Sequence, residues 1–136
     1  MCEQEPTSDG EHTLVAVDVI ESRTVALAAA DAAENKKASE VVILDVGDLL
    51  GITEFFVIVS TGNPRQLDTV LDEVHRALKA DGRAPLRREG TALDGWAVLD
   101  YGDVVVHVFT EEQRNYYDLE RLWADAPRVA VSAATR

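Results

Sequence analysis

The sequence predicts an α+β domain built on a single mixed β-sheet flanked by helices, and three observations lead there. Short β-branched runs recur along the chain, interleaved with segments of helical periodicity. One strand pair is separated by a helix-length segment, which permits parallel pairing, while another is joined by a tight glycine-containing turn, which enforces antiparallel pairing. The 136 residues, 46% of them apolar, suffice for one hydrophobic core and are too few for two.

Each element has its own warrant. Residues 1–12 hold Glu3, Glu5, Asp9 and Glu11 with no Lys or Arg and are expected to form a disordered acidic tail. A long alanine-rich helix is expected from about Thr13 to Ala38, with Leu14, Val17, Ile20, Leu27 and Ala28 as its apolar positions. Val41 to Val46 and Phe55 to Ser60 read as buried strands, separated by turn residues Gly47, Asp48 and Gly51. Asn63 as N-cap and Pro64 at the first helical position open a second helix, whose Leu67, Val70, Leu71, Val74 and Leu78 follow the i, i+3, i+4 rule and which Gly82 ends. Pro85 to Glu89 reads as a short edge strand, held at the edge by its proline and by Arg87 and Arg88.

Trp96 to Tyr101 and Val104 to Phe109 form a hairpin around Gly102 and Asp103, with a type II′ turn signal. A two-residue loop places even positions of the first strand with odd positions of the second. One face then carries Ala97, Leu99, Tyr101, Val104, Val106 and Val108 and belongs to the core; the other carries Trp96, Val98, Asp100, Val105, His107 and Phe109. That second set, aromatic and apolar with polar groups among it, suits a recognition surface. Thr110-Glu111-Glu112-Gln113 matches a capping box, so a last helix starts there. Along it Tyr116, Leu119, Leu122 and Trp123 form a packing stripe, and Arg114, Tyr117 and Arg121 a flanking, available row. Residues 125–136 lack large apolar groups and are expected to form a disordered tail.

The WAVLDYGDVVVHVF strand pair followed by R-x-Y-Y-x-L-E-x-L-W resembles the ribosomal silencing factor family, also called Iojap-like proteins. Further upstream the resemblance rests on Asn35-Lys36-Lys37-Ala38, VVILDV, FFVIVSTG and Glu89-Gly90, so it covers roughly residues 13–123. Glu54 stands where family members usually have Asp, which keeps the charge. The resemblance implies a domain over residues 13–124 with a topology similar to nucleotidyltransferases. It also implies a partner: the large ribosomal subunit, bound through its L-fourteen protein at the face that meets the small subunit, so that subunit joining is blocked sterically and translation is restrained under nutrient limitation. The partner-binding set carried over from the matching positions and the hairpin face is Trp96, Asp100, Tyr101, His107, Arg114 and Tyr117. Tyr101 conflicts with the face assignment and could contribute only because it lies at the turn.

Charge narrows the partners. A net charge of −12, still −8 without residues 1–12, repels phosphate backbones, so direct nucleic acid is not expected as the main contact; on the ribosome that the resemblance implies, the chain should grip a basic ribosomal protein. The doublets Lys36-Lys37 and Arg87-Arg88 are weak basic footprints. The lone Cys2 cannot form an internal disulfide, and neither a secretory signal nor a membrane-length apolar segment is visible, so a cytoplasmic location is expected, with no membrane partner.

The rival from another class is a metal-dependent nucleotidyltransferase-like enzyme. It would need Ser60-Thr61-Gly62 as a phosphate loop before a helix and Asp100 with Asp103 as a metal-binding pair. Both aspartates flank a hairpin turn, where Asp is common for turn chemistry alone. His12, His75 and His107 share no metal spacing, so no catalytic residue, metal or cofactor is expected. A homodimeric scaffold pairing through the mixed aromatic face is the third class.

Overall fold

Helix α1 spans Thr7–Asn35; the computed structural model describes residues 7–130, with side chains from residue 21 onward. The helix therefore begins before the expected Thr13, inside the segment read as a disordered tail, while residues 1–6 and the side chains of Leu14, Val17 and Ile20 lie outside the described part. Its buried stripe is made of Ala26, Ala29, Ala30 and Ala33, each 0% exposed, with Leu27 and Ala28 only at the margin. Small side chains at i, i+3, i+4 and i+7 let the helix lie close against the sheet. Lys37, at φ 68°, takes the left-handed position that usually falls to glycine. The amides of Lys37 and Ala38 reach back to the carbonyls of Glu34 (2.9 Å) and Ala33 (3.1 Å).

Strand β1 spans Ser39–Asp45, the one-turn helix α2 Gly47–Leu50, and β2 Phe55–Thr61. The register between β1 and β2 slips between Ser39 and Val42, where Glu40 takes φ 49°. Helix α3, Pro64–Ala80, matches the sequence reading closely: the Asn63 side chain accepts from the Gln66 amide at 2.8 Å, and Leu67, Val70, Leu71, Val74 and Leu78 are all buried. Strands β3 (Arg87–Thr91), β4 (Trp96–Asp100) and β5 (Val104–Thr110) follow, then helices α4 (Glu111–Tyr117) and α5 (Leu119–Leu122), and strand β6 (Arg128–Val129).

The six strands form one sheet in the order β3-β4-β5-β2-β1-β6. Only β2 and β5 pair in parallel; the other neighbours are antiparallel. β6 pairs with Ile43 and Leu44 of β1, so the expected C-terminal tail is ordered at Arg128–Val129, with Ala126 and Val129 buried. Main-chain pairing to an open strand edge and two small apolar groups are enough to hold it, while residues 131–136 lie outside the described part. No described helix is long and apolar enough to cross a membrane.

The hairpin keeps the expected two-residue loop: Trp96 opposes Phe109 and Asp100 opposes Val105, and Gly102 alone of the loop pair has positive φ, at 88°. The face of Ala97, Leu99, Tyr101, Val104, Val106 and Val108 is fully buried under α1 and α3. On the edge strand β3, Gly90 (φ 80°) faces Ala97, and a Cβ there would lie 2.2 Å from the Trp96 carbonyl oxygen. Gly90→Ala is expected to cost about 2 kcal/mol, since both the dihedral and the backbone contact oppose a side chain. Urea denaturation of the variant checks this, and a change under about 0.5 kcal/mol would contradict it.

Candidate partner-binding face

The second face of the sheet carries the aromatic residues. Alternation along paired strands aligns Trp96, Val98 and Asp100 of β4 with Val105, His107 and Phe109 of β5, and these with Phe56 and Ile58 of β2. The Trp96 ring stacks on Phe109 with centroids 5.0 Å apart and meets Tyr117 at 4.4 Å. Its indole Nε1 donates to His107 Nδ1 at 3.2 Å, and Phe56 stands edge-on to His107 at 4.8 Å and to Trp123 at 5.9 Å. An indole N–H only donates, so Nδ1 is the acceptor and the proton of the neutral ring is on Nε2. That Nε2 has no hydrogen-bond partner among the described residues. Burial holds the imidazole down at about 4, partly opposed by the Asp100 charge, and His107 is therefore neutral at pH 7.

Helices α4 and α5 cover only part of this face, and one side chain holds them in place. Arg114 is 5% exposed. Its guanidinium grips Glu120 in a fork (Nε to Oε1 3.2 Å, Nη2 to Oε2 2.6 Å), and its Nη1 donates to Ser60 Oγ at 2.9 Å and to the Glu40 carbonyl. The bond from Arg114 holds the Glu120 carboxyl below its ordinary value. This fork bridges a break: Asp118, at φ 47°, ends α4 and starts α5.

The break overturns the single continuous last helix. Helical phase is reset at Asp118, so Tyr116 (77% exposed) and Leu122 (69%) leave the expected packing stripe, whereas Leu119 stays buried and Trp123 half-buried. In the row expected to be available, Tyr117 and Arg121 are exposed but Arg114 is not. The N-terminus is correct, although Thr110 makes no side-chain cap bond, so the capping box does not form.

Of the six expected contact residues, three are accessible: Tyr117 is exposed, and Trp96 and Asp100 are half-buried. The other three are buried. Tyr101 points to the core face as its parity requires, 4% exposed, and burial pushes its phenol up to about 12. His107 (7%) lies at the edge of the Trp96 indole that donates to it, and Arg114 is buried on this same face, tying α4 and α5 to Ser60 and Glu40. Phe56, Ser60, Glu40 and Glu120, which complete the cluster, had no signal of their own. β2 is apolar on both faces, and Arg114 with Glu120 has no helical spacing. Val98 and Val105, half-buried beside Asp100, extend the open patch towards Glu89 of the edge strand.

The enzyme-like constellation is otherwise engaged. Asp103 takes an ion pair from Arg83 and a hydrogen bond from Ser22 Oγ at 2.5 Å; burial alone would raise its carboxyl, but these bonds hold it below the ordinary value. Asp100 Oδ1 accepts from the Gly102 amide at 2.8 Å, as a turn aspartate does. The Thr61 hydroxyl donates to the Phe109 carbonyl at 3.0 Å, and the Gly62 amide, which a phosphate would need, donates to Gln66 Oε1 at 2.7 Å. A crevice of about 370 Å³ lies beyond the carboxyl ends of β2 and β5, but Asp94, Glu111 and Glu112 line it and repel phosphate. No group of three or more His, Cys, Asp or Glu among the described residues could hold a metal ion.

A family model described as ribosomal silencing factor during starvation matches residues 19–136. The chain belongs to the ribosomal silencing factor family. It is 39% identical over 103 residues to "Ribosomal silencing factor RsfS" of Halalkalibacterium halodurans, covering 76% of this chain and 88% of that protein. It is 31% identical over 124 residues to the chloroplastic protein Iojap of Zea mays, covering 91% of this chain and 54% of that one. A crystal structure of a Chromobacterium violaceum protein superposes with a TM-score of 0.72 at 28% identity, covering 84% of this chain and 98% of the other. The family match includes every strand of the sheet, so the aromatic face and its Arg114 brace fall wholly within the silencing-factor domain.

Proposed function

We propose that this protein binds the large ribosomal subunit and keeps the small subunit from joining it, docking on the L-fourteen protein and restraining translation when nutrients are short. The observation that carries the proposal is the silencing-factor match across residues 19–136. The geometry supports a docking role with an aromatic anchor: Trp96 is half-buried on a rigid stack of Phe109 and Tyr117, with Asp100, Val98 and Val105 beside it. Anchors of this kind lose little freedom on binding, and a carboxylate beside them complements a basic surface. The role is that of a binding protein in the cytoplasm, not of an enzyme, in keeping with the engaged aspartates and the acidic crevice.

Sedimentation with isolated subunits tests it: the protein is expected to travel with the large subunit and to deplete joined ribosomes. Failure to co-migrate would overturn the proposal. Trp96→Ala is expected to weaken binding by about 2 kcal/mol, some thirtyfold. Because Trp96 also packs on Phe109, Tyr117→Ala is the companion variant. A circular dichroism melt confirms that both remain folded, and unchanged affinity in both would remove this face from the interface.

A further inference from the structure

The two basic doublets, equivalent in sequence, are separated by the fold. Arg87 lies on the edge strand with its guanidinium 3.6 Å from Glu89 and 3.8 Å from Asp100, so its charge is partly met, while Arg88 is exposed and forms no ion pair among the described residues. Lys36 and Lys37 instead sit just beyond the end of α1, where the first turn of α3 brings Arg65 beside them. The Gln66 side chain fixes this arrangement: its amide donates to the carbonyls of Lys36 (3.2 Å) and Lys37 (3.0 Å) while its Oε1 accepts from Gly62. Together with Asn63, Gln66 and Thr69, the three cations line a shallow depression of about 410 Å³. All three are exposed, and none forms an ion pair among the described residues. Glu73, whose carboxylate feels the Lys36 charge, is already held by Arg76 at 3.1 and 2.5 Å.

Arg114 links this corner to the aromatic face. Glu40, shortly after Lys37, supplies the carbonyl that Arg114 holds, and the same guanidinium reaches Ser60 near the end of β2. A chain of net charge −12 is repelled by phosphate over most of its surface, so a depression that gathers three unpaired cations is a place where it can lie against RNA. We infer that Lys36, Lys37 and Arg65 form a secondary contact that receives the phosphate backbone of ribosomal RNA while the aromatic face holds the protein partner. The inference rests on the proposed binding to the large subunit. Such contacts orient a bound protein and read no sequence, and each neutralised phosphate releases counterions, so salt dependence counts them.

The test compares the full chain with a Lys36→Ala, Lys37→Ala, Arg65→Ala variant in binding to purified large subunits over a range of salt, with hydroxyl-radical footprinting of the RNA. At roughly 0.7 to 0.9 per phosphate, the slope of log affinity against log salt is expected to fall by about 2 in the variant. Protection of an RNA backbone segment should disappear with it, while Lys36→Arg, Lys37→Arg, Arg65→Lys keeps both. An unchanged slope and footprint overturn the inference alone. A weaker variant with no RNA protection to lose in either protein assigns the corner to an acidic protein segment and also overturns it. No binding by the unmodified chain ends the proposed function and this inference together.

Discussion

Arg114→Ala is expected to cost about 3 to 5 kcal/mol of stability, the range for removing one partner of a buried charge pair. The guanidinium is 5% exposed and makes four hydrogen bonds, so its loss strands the Glu120 carboxylate and the Glu40 carbonyl and leaves the fully buried Ser60 hydroxyl only a long bond to Glu40 Oε1 at 3.5 Å. Glu120 retains 21% side-chain exposure and can turn partly towards water, which places the effect nearer the lower end. Even so, this is a large fraction of the ~5–15 kcal/mol that holds a domain of this kind together. Arg114→Lys keeps the charge but cannot fork, and should recover only part of the loss. Urea denaturation at pH 7 measures both variants, and a cost below about 1 kcal/mol for the alanine form would show that the brace is dispensable. Tyr117 is expected to leave the Trp96 stack when α4 loosens, so the proposed binding to the large subunit should fall as well.

Acid should destabilise the protein in a window set by His107. Its folded value is lowered from 6.5 to about 4, chiefly by burial and against the opposing charge of Asp100. The unfolded chain therefore takes up the proton more readily than the folded one. The stability present above about pH 6.5 is lost as pH falls towards 4, amounting to about 3 kcal/mol at the lower limit. The depressed carboxyls of Asp103 and Glu120 act in the same direction, but their contribution is lost only as pH falls through and below the ordinary carboxylate range. Between pH 6.5 and 5 the slope belongs to His107. In the folded protein protonation turns Nδ1 from acceptor to donor only as pH approaches about 4, breaking the bond from the Trp96 indole, so native tryptophan fluorescence should change there and not between pH 6.5 and 5. His107→Gln should flatten the denaturation profile from pH 7 to 5; a slope equal to that of the unmodified protein would assign the effect elsewhere.

Much of this architecture was legible in the chain itself. The α3 boundaries and its five core residues followed from Asn63, Pro64, Gly82 and the 3.6-residue period, because each of those signals is local. The hairpin faces followed from loop length and alternation, and Tyr101 fell on the core side where parity placed it, against the contact role carried over from family resemblance. The alanine stripe of α1 was missed because apolar pattern weighs size, whereas a helix lying close to a sheet selects small side chains. β6 was missed because a strand of two residues carries no periodicity.

By itself, then, the sequence determined five of the six strands, the two long helices, the parity of the hairpin and the family to which the chain belongs. All of these depend on neighbours within a few positions or on a linear motif. Only the tertiary structure decided that Arg114 is a brace, that His107 is buried and neutral beside Trp96, that the last helix breaks at Asp118, and that Lys36, Lys37 and Arg65 meet while Arg87 is paired. Burial, and the partners of a buried charge, are set by which distant segments pack together. Arg114 meets Ser60 and Glu40 only because β1, β2 and α4 converge, and no local spacing encodes that convergence.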